Sequence, residues 1–279
     1  MTTQAPATEQ VRDAWDALAP RFDRFTTQDW SMPFGEQALR RVDLRPGVRF
    51  LDVACGSGAL AIPAARRGAD VVAVDIAPAM IERLAARVRA EGLSNVVGRE
   101  MTGEALELPD DTFDVSASQN GVSMFPDLGG GLREIVRVTK PGGRVLIVAF
   151  GAPQKAEFLG FFLGALQASV LGFIPPPMDP PPPPFRLADP SRFGQELVSA
   201  GLTDVRVETV TWDMTFTSAD HFWDVVTSGQ PIAVQLTAHL TVEQRADVRH
   251  VLDGMLRERS GGRPGATLCT EMNIGIGTK

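Results

Sequence analysis

The chain contains no tyrosine, two cysteines and three histidines among 279 residues. Without a phenol, acid–base chemistry through tyrosine is excluded. Cys55 and Cys269 lie far apart and without metal-ligand spacing, so no metal site is expected and a reduced, cytoplasmic protein is the simplest reading. Residues 1–10 lack the charged-then-apolar pattern of an export signal. No run approaches the roughly 18 consecutive apolar residues of a membrane span. The longest apolar segment, 158–174, is interrupted by Gly160, Gly164, Gln167, Ser169 and Gly172, which predicts an amphipathic or buried helix and no membrane partner. Positive charge is also scarce. Lysine and arginine number 27 against 34 acids, a net charge of −7, which argues against a broad phosphate-binding face and hence against nucleic acid as a partner. Arg40-Arg41 and Arg66-Arg67 read as solvated helix charges.

What is present is the composition of an ordinary globular protein, 44% hydrophobic and 22% charged, long enough for one large domain or one domain with a sizeable insertion. Apolar residues at helical spacing predict a helix over 11–25, bent or split at Pro20, and a second over 33–42. An alternating rhythm follows. Strands are expected at 49–54, 70–75, 95–101, 113–118 and 144–150, and helices at 58–67, 78–91 and 128–138. Short strands alternating with longer helices imply βαβ units, a parallel sheet and right-handed crossovers, with the strands' carboxyl ends on one edge. The rhythm then changes. Residues 154–172 are apolar and helical in character, and 175–184 hold eight prolines in ten positions, an extended segment joining a lid to the core. Asp189 caps a helix over 189–200, 205–212 is an alternating strand, 218–227 and 241–258 are helices, and 267–276 is a closing strand.

The most informative stretch is Phe50-Leu51-Asp52-Val53-Ala54-Cys55-Gly56-Ser57-Gly58 with Val71-Val72-Ala73-Val74-Asp75. A strand enters a glycine turn where the backbone approaches a ligand closely, and a second strand ends on a carboxylate able to accept from a ribose diol. Read as Gly56-x-Gly58-x-x-Ala61, with Asp75 17 residues beyond Gly58, the turn also satisfies a dinucleotide fingerprint, so a nicotinamide oxidoreductase stays open at this point. Asp52 tilts the choice. A carboxylate within that strand is costly to bury without a cation or several donors, and a ligand carrying a positive amino group would supply the partner, directly or through water.

Four motifs in order carry a resemblance: Leu51-Asp52-Val53-Ala54-Cys55-Gly56-Ser57-Gly58; Val74-Asp75-Ile76-Ala77-Pro78-Ala79-Met80; Glu104-Ala105-Leu106-Glu107-Leu108-Pro109-Asp110-Asp111-Thr112-Phe113-Asp114; and Lys140-Pro141-Gly142-Gly143. The chain resembles the class I S-adenosylmethionine-dependent methyltransferases of the ubiquinone/menaquinone-biosynthesis C-methyltransferase group. The resemblance implies an α/β, Rossmann-like, seven-stranded mostly parallel sheet with an antiparallel final strand, helices on both faces and helical lid insertions. It implies an N-terminal helical cap over 1–44, a cofactor-binding core over 45–152, a proline-rich lid over 153–188, and a C-terminal part over 189–279 with a helical substrate cap at about 217–262. The implied cofactor is S-adenosyl-L-methionine, with S-adenosyl-L-homocysteine as product. Asp52 and the backbone of Ala54, Gly56 and Gly58 would surround its methionine part. Asp75 would hold the ribose, with Ile76 and Met80 against the adenine. Met101, Thr102, Gly103 and Glu104 would meet the adenine edge, with Thr102 or Glu104 replacing the aspartate frequent in the family. Ser118, Gln119 and Asn120 would lie beside the sulfonium and the amine. Met80 and Met101 are equally read as core residues, Cys55 as a packing residue, Asp114 as a structural acid at a strand entry and Lys140-Pro141-Gly142-Gly143 as a turn.

Methyl transfer from a sulfonium is an in-line displacement in which positioning supplies much of the acceleration, and a base is needed only where the acceptor must lose a proton. His221, beside Phe222 and Trp223, is the best histidine for that role, ahead of His239 and His250. Aromatic and methionine residues offer apolar walls for a small acceptor: Trp15, Phe22, Phe25, Trp30, Met32, Phe34, Met124, Phe125, Phe158, Phe161, Phe162, Phe173 and Trp223. Phe22 stands where many relatives carry tyrosine. Ser118-Gln119-Asn120-Gly121 stands in place of an Asp/Asn-Pro-Pro-aromatic motif, which disfavours methylation of nucleobase amines or protein amides. Together these features predict a methyltransferase acting on oxygen or carbon of an aromatic, quinone-like or polyketide-like metabolite. The rival expectation is a catalytically silent cofactor-binding regulatory or scaffolding protein. The apolar N-terminal helix would cover either the active site or a neighbouring subunit, which leaves a homodimer open.

Overall fold

The computed structural model describes residues 8–279, the side chains of Phe25, Thr26 and Gln28 excepted. The strands are β1 (Arg49–Val53), β2 (Asp70–Asp75), β3 (Val96–Glu100), β4 (Phe113–Gln119), β5 (Thr139–Phe150), β6 (Thr203–Phe216) and β7 (Ala266–Thr278). They form one sheet in the order β3-β2-β1-β4-β5-β7-β6. The first five run parallel, and β7 is antiparallel to both β5 and β6. The chain reverses its direction of travel across the sheet between β1 and β4, so the carboxyl ends of those strands open a crevice where open α/β sheets bind ligands.

Around the sheet lie α1 (Thr8–Arg21), α2 (Met32–Ala38), α3 (Ala61–Arg66), α4 (Pro78–Ala90), α5 (Leu128–Val138), α6 (Glu157–Ser169), α7 (Pro190–Ser199), α8 (Ala219–Gly229), α9 (Pro231–Thr237) and α10 (Val242–Ser260). Both sheet faces are covered, and the period-2 alternation of the strands shows it. Phe50, Leu146 and Val148 pack with Ile62, Leu166 and Leu252 on one face. Leu51, Val145 and Ile147 pack with Ile135, Phe193 and Leu197 on the other. Strands buried on both faces explain the near-continuous apolar runs of the sequence. Among the described residues no helix is long and apolar enough to cross a membrane.

Several element boundaries depart from expectation for identifiable reasons. The expected helix over 11–25 is divided just past Pro20, at the junction of Arg21 and Phe22. Pro20 lies near the end of α1, and the chain continues directly as a π-helical stretch, Phe22–Ser31. Lys140-Pro141-Gly142-Gly143 is part of β5 rather than a turn before it. The register shifts between Phe113 and Val115 opposite this segment, and Gly142 (φ +76°) donates to the Lys279 carbonyl at 2.8 Å. The proline-rich segment carries only a short 3-10 turn, Pro183–Phe185, before Asp189 caps α7 by accepting from the Arg192 N–H at 2.7 Å. Helix α9, seven residues opening on Pro231, is an element that the apolar periodicity does not reveal.

Candidate active site

The glycine turn leaves the carboxyl end of β1 through three residues with positive φ: Ala54 (+55°), Gly56 (+52°) and Gly58 (+100°). Ala54 is the informative one, because a side chain in the left-handed region is uncommon and strained conformations concentrate where a ligand is held. The turn is tied back by Asp52. Its Oδ2 accepts from the Ala61 N–H at 2.9 Å, at the start of α3. Asp52 Oδ1 is buried without a partner. Burial, with the nearby Asp75 charge adding to it, pushes the Asp52 carboxyl up to about 8.

Asp75 ends β2 as the sequence predicts. Its Oδ2 accepts from the Gly56 N–H at 2.8 Å and its Oδ1 from the Ala77 N–H at 3.0 Å. Burial raises this carboxyl to about 6, and the Ala77 and Gly56 N–H groups oppose the rise. At the end of β4, Gln119 Nε2 donates to the Ser31 carbonyl at 2.7 Å, leaving Oε1 buried and unpartnered. Asn120 follows with φ +56°, and its Oδ1 is likewise buried without a donor.

These strand ends line a cavity that opens to solvent, about 990 Å³ of empty space with its mouth included. Ala54, Gly56, Asp75, Ile76 and Met80 line it from the first two strand ends, Met101, Thr102, Gly103 and Glu104 from the third, and Gln119 and Asn120 from the fourth. Met80 is both wall and core, 1% exposed. Glu104 Oε1 accepts from the Asp127 N–H at 2.7 Å, so that side chain is already partly committed to the protein. Three expected residues lie behind the wall. Asp52 is turned to the α3 N-terminus. Gly58 is packed where a Cβ would meet Leu84 at 2.6 Å, and Ser118 Oγ accepts from the Val122 N–H at 3.2 Å.

The lid closes the cavity from the N-terminal side. Trp15, Phe22 and Trp30 line it, and a Cβ on Gly56 would meet the Phe22 ring at 3.2 Å. Met124 and Phe125 line it from the loop after β4. Other expected walls serve elsewhere. Phe34 is fully buried against Trp212, Met32 Sδ accepts from Arg87, and Phe161 and Phe173 pack on the core. Trp223 packs on Phe162. Phe158 and Phe162 line a separate apolar chamber. The Phe25 side chain lies outside the described residues, as do residues 1–7 of the expected cap.

His221 does not fill the role of base. Its Nδ1 accepts from the Thr217 N–H at 3.1 Å, which puts a neutral ring's proton on Nε2, facing Asp29 Oδ2 at 3.3 Å. It lines neither cavity, and no histidine is among the described lining residues of the first. Cys55 reaches the cavity wall, but burial pushes its thiol well above the usual range, consistent with a packing residue. Asp114 is structural. Burial works against its charge, yet Lys140 Nζ at 2.6 Å and the Arg49 N–H at 2.9 Å outweigh that and lower the carboxyl. Sequence reasoning missed Ser31, Gly121, Gly229 and Gln230, all lining residues. Only Pro231, a first-turn proline, could have flagged the helix start beside Gln230.

An S-adenosyl group fits this lining. Unpaired acceptors at Gln119 and Asn120 suit an ammonium, and the Asp75 carboxyl suits a diol. A family model described as a methyltransferase domain matches residues 51–147. The chain is 37% identical over 134 residues to the nocamycin O-methyltransferase of Saccharothrix syringae, covering 47% of this chain and 48% of that one. It is 37% identical over 157 residues to the demethylmenaquinone methyltransferase of Streptomyces avermitilis, covering 53% and 64% respectively. The chain thus spans about half the length of the curated relatives it matches. The crystal structure of the [4+2]-cyclase SpnF aligns with a TM-score of 0.59 at 18% identity, over 98% of this chain and 97% of that one, a likeness of fold alone.

Proposed function

We propose that this chain, a class I S-adenosylmethionine-dependent methyltransferase by family, transfers a methyl group to oxygen or carbon of a small, partly apolar metabolite. The observation that carries this reading is the shared lining of one cavity by Asp75, the left-handed Ala54–Gly56 turn, and Gln119 and Asn120, the last two each carrying a buried acceptor without a partner. When bound, S-adenosylmethionine supplies an electrophilic methyl group on a sulfonium. Gln119 and Asn120 hold the ammonium, Asp75 the ribose hydroxyls, and Ile76 and Met80 the adenine face. Met101, Thr102, Gly103 and Glu104 form the adenine edge. Asp52 acts from behind the turn, positioning it through the Ala61 N–H. Residues 45–152 hold the cofactor in this reading, while 1–44, 153–188 and about 217–262 enclose the acceptor and exclude water.

The described lining residues include no histidine, lysine or arginine, and Glu104 is engaged with the Asp127 N–H. Proton removal therefore falls to the acceptor's own acidity, as with a phenol, an enol or an activated C–H. The O- and C-methyltransferases among the relatives are compatible with such acceptors. The test is release of S-adenosylhomocysteine on incubation with S-adenosylmethionine and a panel of phenols, hydroquinones and 1,3-diketones, with mass detection of product. Turnover of at least one class is expected. Tight cofactor binding with no turnover across acceptor classes favours the silent cofactor-binding protein instead.

A further inference from the structure

A second chamber lies beside the first and is not accounted for by cofactor binding. It lies between α6, the proline-rich segment and α9. Phe158 and Phe162 stand on one side, Pro176 and Pro182 on another, and Ile232 and Ala233 on a third. Gln230 is the one polar residue among its described lining, and no ionisable side chain lines it, so a charged ligand would be stripped of water there without compensation.

The two chambers meet. Gln230 lines both, and Trp30 of the first stacks on Phe150 of the second with ring centroids 5.5 Å apart. Each of these two residues carries a buried polar atom without a partner: Trp30 Nε1–H, a donor, and Gln230 Oε1, an acceptor. Trp30 is only 8% exposed. A donor and an acceptor left unpaired in an apolar wall are each costly, and a ligand hydroxyl has the capacity both to accept and to donate.

We propose that the methyl acceptor spans both chambers, an elongated uncharged molecule whose apolar body fills the second. A hydroxyl of that molecule accepts from Trp30 Nε1–H and donates to Gln230 Oε1 at the junction. The assignment of this ligand as methyl acceptor rests on the function proposed above; its binding does not. The test is calorimetric titration of the protein, with and without saturating S-adenosylhomocysteine, by 4-butyl-, 4-hexyl- and 4-octylphenol and by 4-octylbenzoate. Affinity is expected to rise about fourfold per added methylene, with the carboxylate at least tenfold weaker than the phenol of equal chain. Ala233→Trp fills the chamber and is expected to flatten the chain-length dependence while S-adenosylhomocysteine affinity stays within twofold. Ile232→Phe narrows the same wall at a partly exposed position and gives the same readout if the first variant does not fold. Trp30→Phe keeps an aromatic ring for stacking and is expected to weaken every phenol at least fivefold with the chain-length slope unchanged. A flat wild-type slope, a slope unchanged in both wall variants, or equal binding of the carboxylate overturns the chamber assignment. An unaltered Trp30→Phe affinity overturns the hydroxyl contact. Failure of S-adenosylhomocysteine to bind while the phenol slope persists defeats the cofactor reading and leaves the chamber standing.

Discussion

Two carboxyls buried within or at the end of neighbouring strands give this protein a pH dependence whose sign follows from their surroundings. Asp52 and Asp75 hold protons up to about 8 and about 6, against an ordinary value of 3.8, because burial penalises their charge. The ligand-free native state therefore binds more protons than the unfolded chain between about pH 4 and 8, and stability falls as pH rises through that window. Asp114 and Glu134 have lowered carboxyls, so their contribution is complete above the ordinary carboxylate range and lost only on acidification. They leave the slope between pH 5.5 and 8 to the buried pair. Urea unfolding of the ligand-free protein is expected to show lower stability at pH 8 than at pH 5.5, and Asp52→Asn to remove most of the difference. On the ribose role proposed for Asp75, cofactor binding runs the other way, since the ionised carboxylate accepts from both hydroxyls of a diol. S-adenosylhomocysteine affinity is expected to weaken as pH falls below about 6, and Asp75→Ala to weaken it at least tenfold at pH 7.5, both by calorimetry. Unchanged affinity in the alanine variant removes the ribose assignment. The places of Gly56 and Asp75 are readable in the sequence because a turn and a strand end fix them. The direction in which Asp52 points is not, because it depends on where the turn delivers the Ala61 N–H.

The lid is held by side chains that reach across to other elements. Helix α4 opens on Pro78 with no side-chain cap of its own, and Asp16 of α1 supplies one by accepting from the Ala79 N–H at 2.8 Å. Asp23 pairs with Arg87 at 3.3 Å, both largely buried, and Arg21 reaches Asp224 and Thr227 of α8. Loss of a capping carboxylate costs about 0.5–2 kcal/mol. Asp16→Ala is expected to lower stability by that amount and to speed amide exchange in residues 8–31 above that in the sheet, read by exchange mass spectrometry. Uniform exchange across the chain counts against a latch. His221 also meets the lid, through Asp29, but lies away from both cavities. His221→Ala is expected to leave kcat within about twofold, whereas loss of a general base costs about 10²–10⁴-fold. The longer helices are legible from apolar spacing and caps, such as Thr241 with Gln244 at the start of α10. The π-helical continuation past Pro20 is not, since no apolar period in the sequence distinguishes that winding from an α-helix. Nor is α9, whose seven residues give barely two turns of pattern.

At the scale of the whole molecule, the alternation of apolar strands and helices over residues 49–150, broken only by the helix-free link from β3 to β4, is enough to specify the parallel half of the sheet. The second chamber is different: Phe150, Phe162, Pro182 and Ala233 contribute to it from separate elements, and no local pattern encodes their meeting. Fold alone does not choose the chemistry, so the ligand must. A dinucleotide and S-adenosylhomocysteine compete as readings of the same glycine turn, and a thermal shift separates them. A ligand that binds only the native state at about 100 times its Kd adds about 2.7 kcal/mol of stability. An unfolding entropy of about 2.1 cal/mol/K per residue over 279 residues converts this to a rise of about 4–5 °C in Tm. S-adenosylhomocysteine is expected to produce that rise at pH 7.5 and NAD none, because the ammonium that the proposed site assigns to Gln119 and Asn120 is one that NAD does not carry. A comparable shift by NAD, with none by S-adenosylhomocysteine, returns the turn to the nicotinamide reading and removes the premise for methyl transfer.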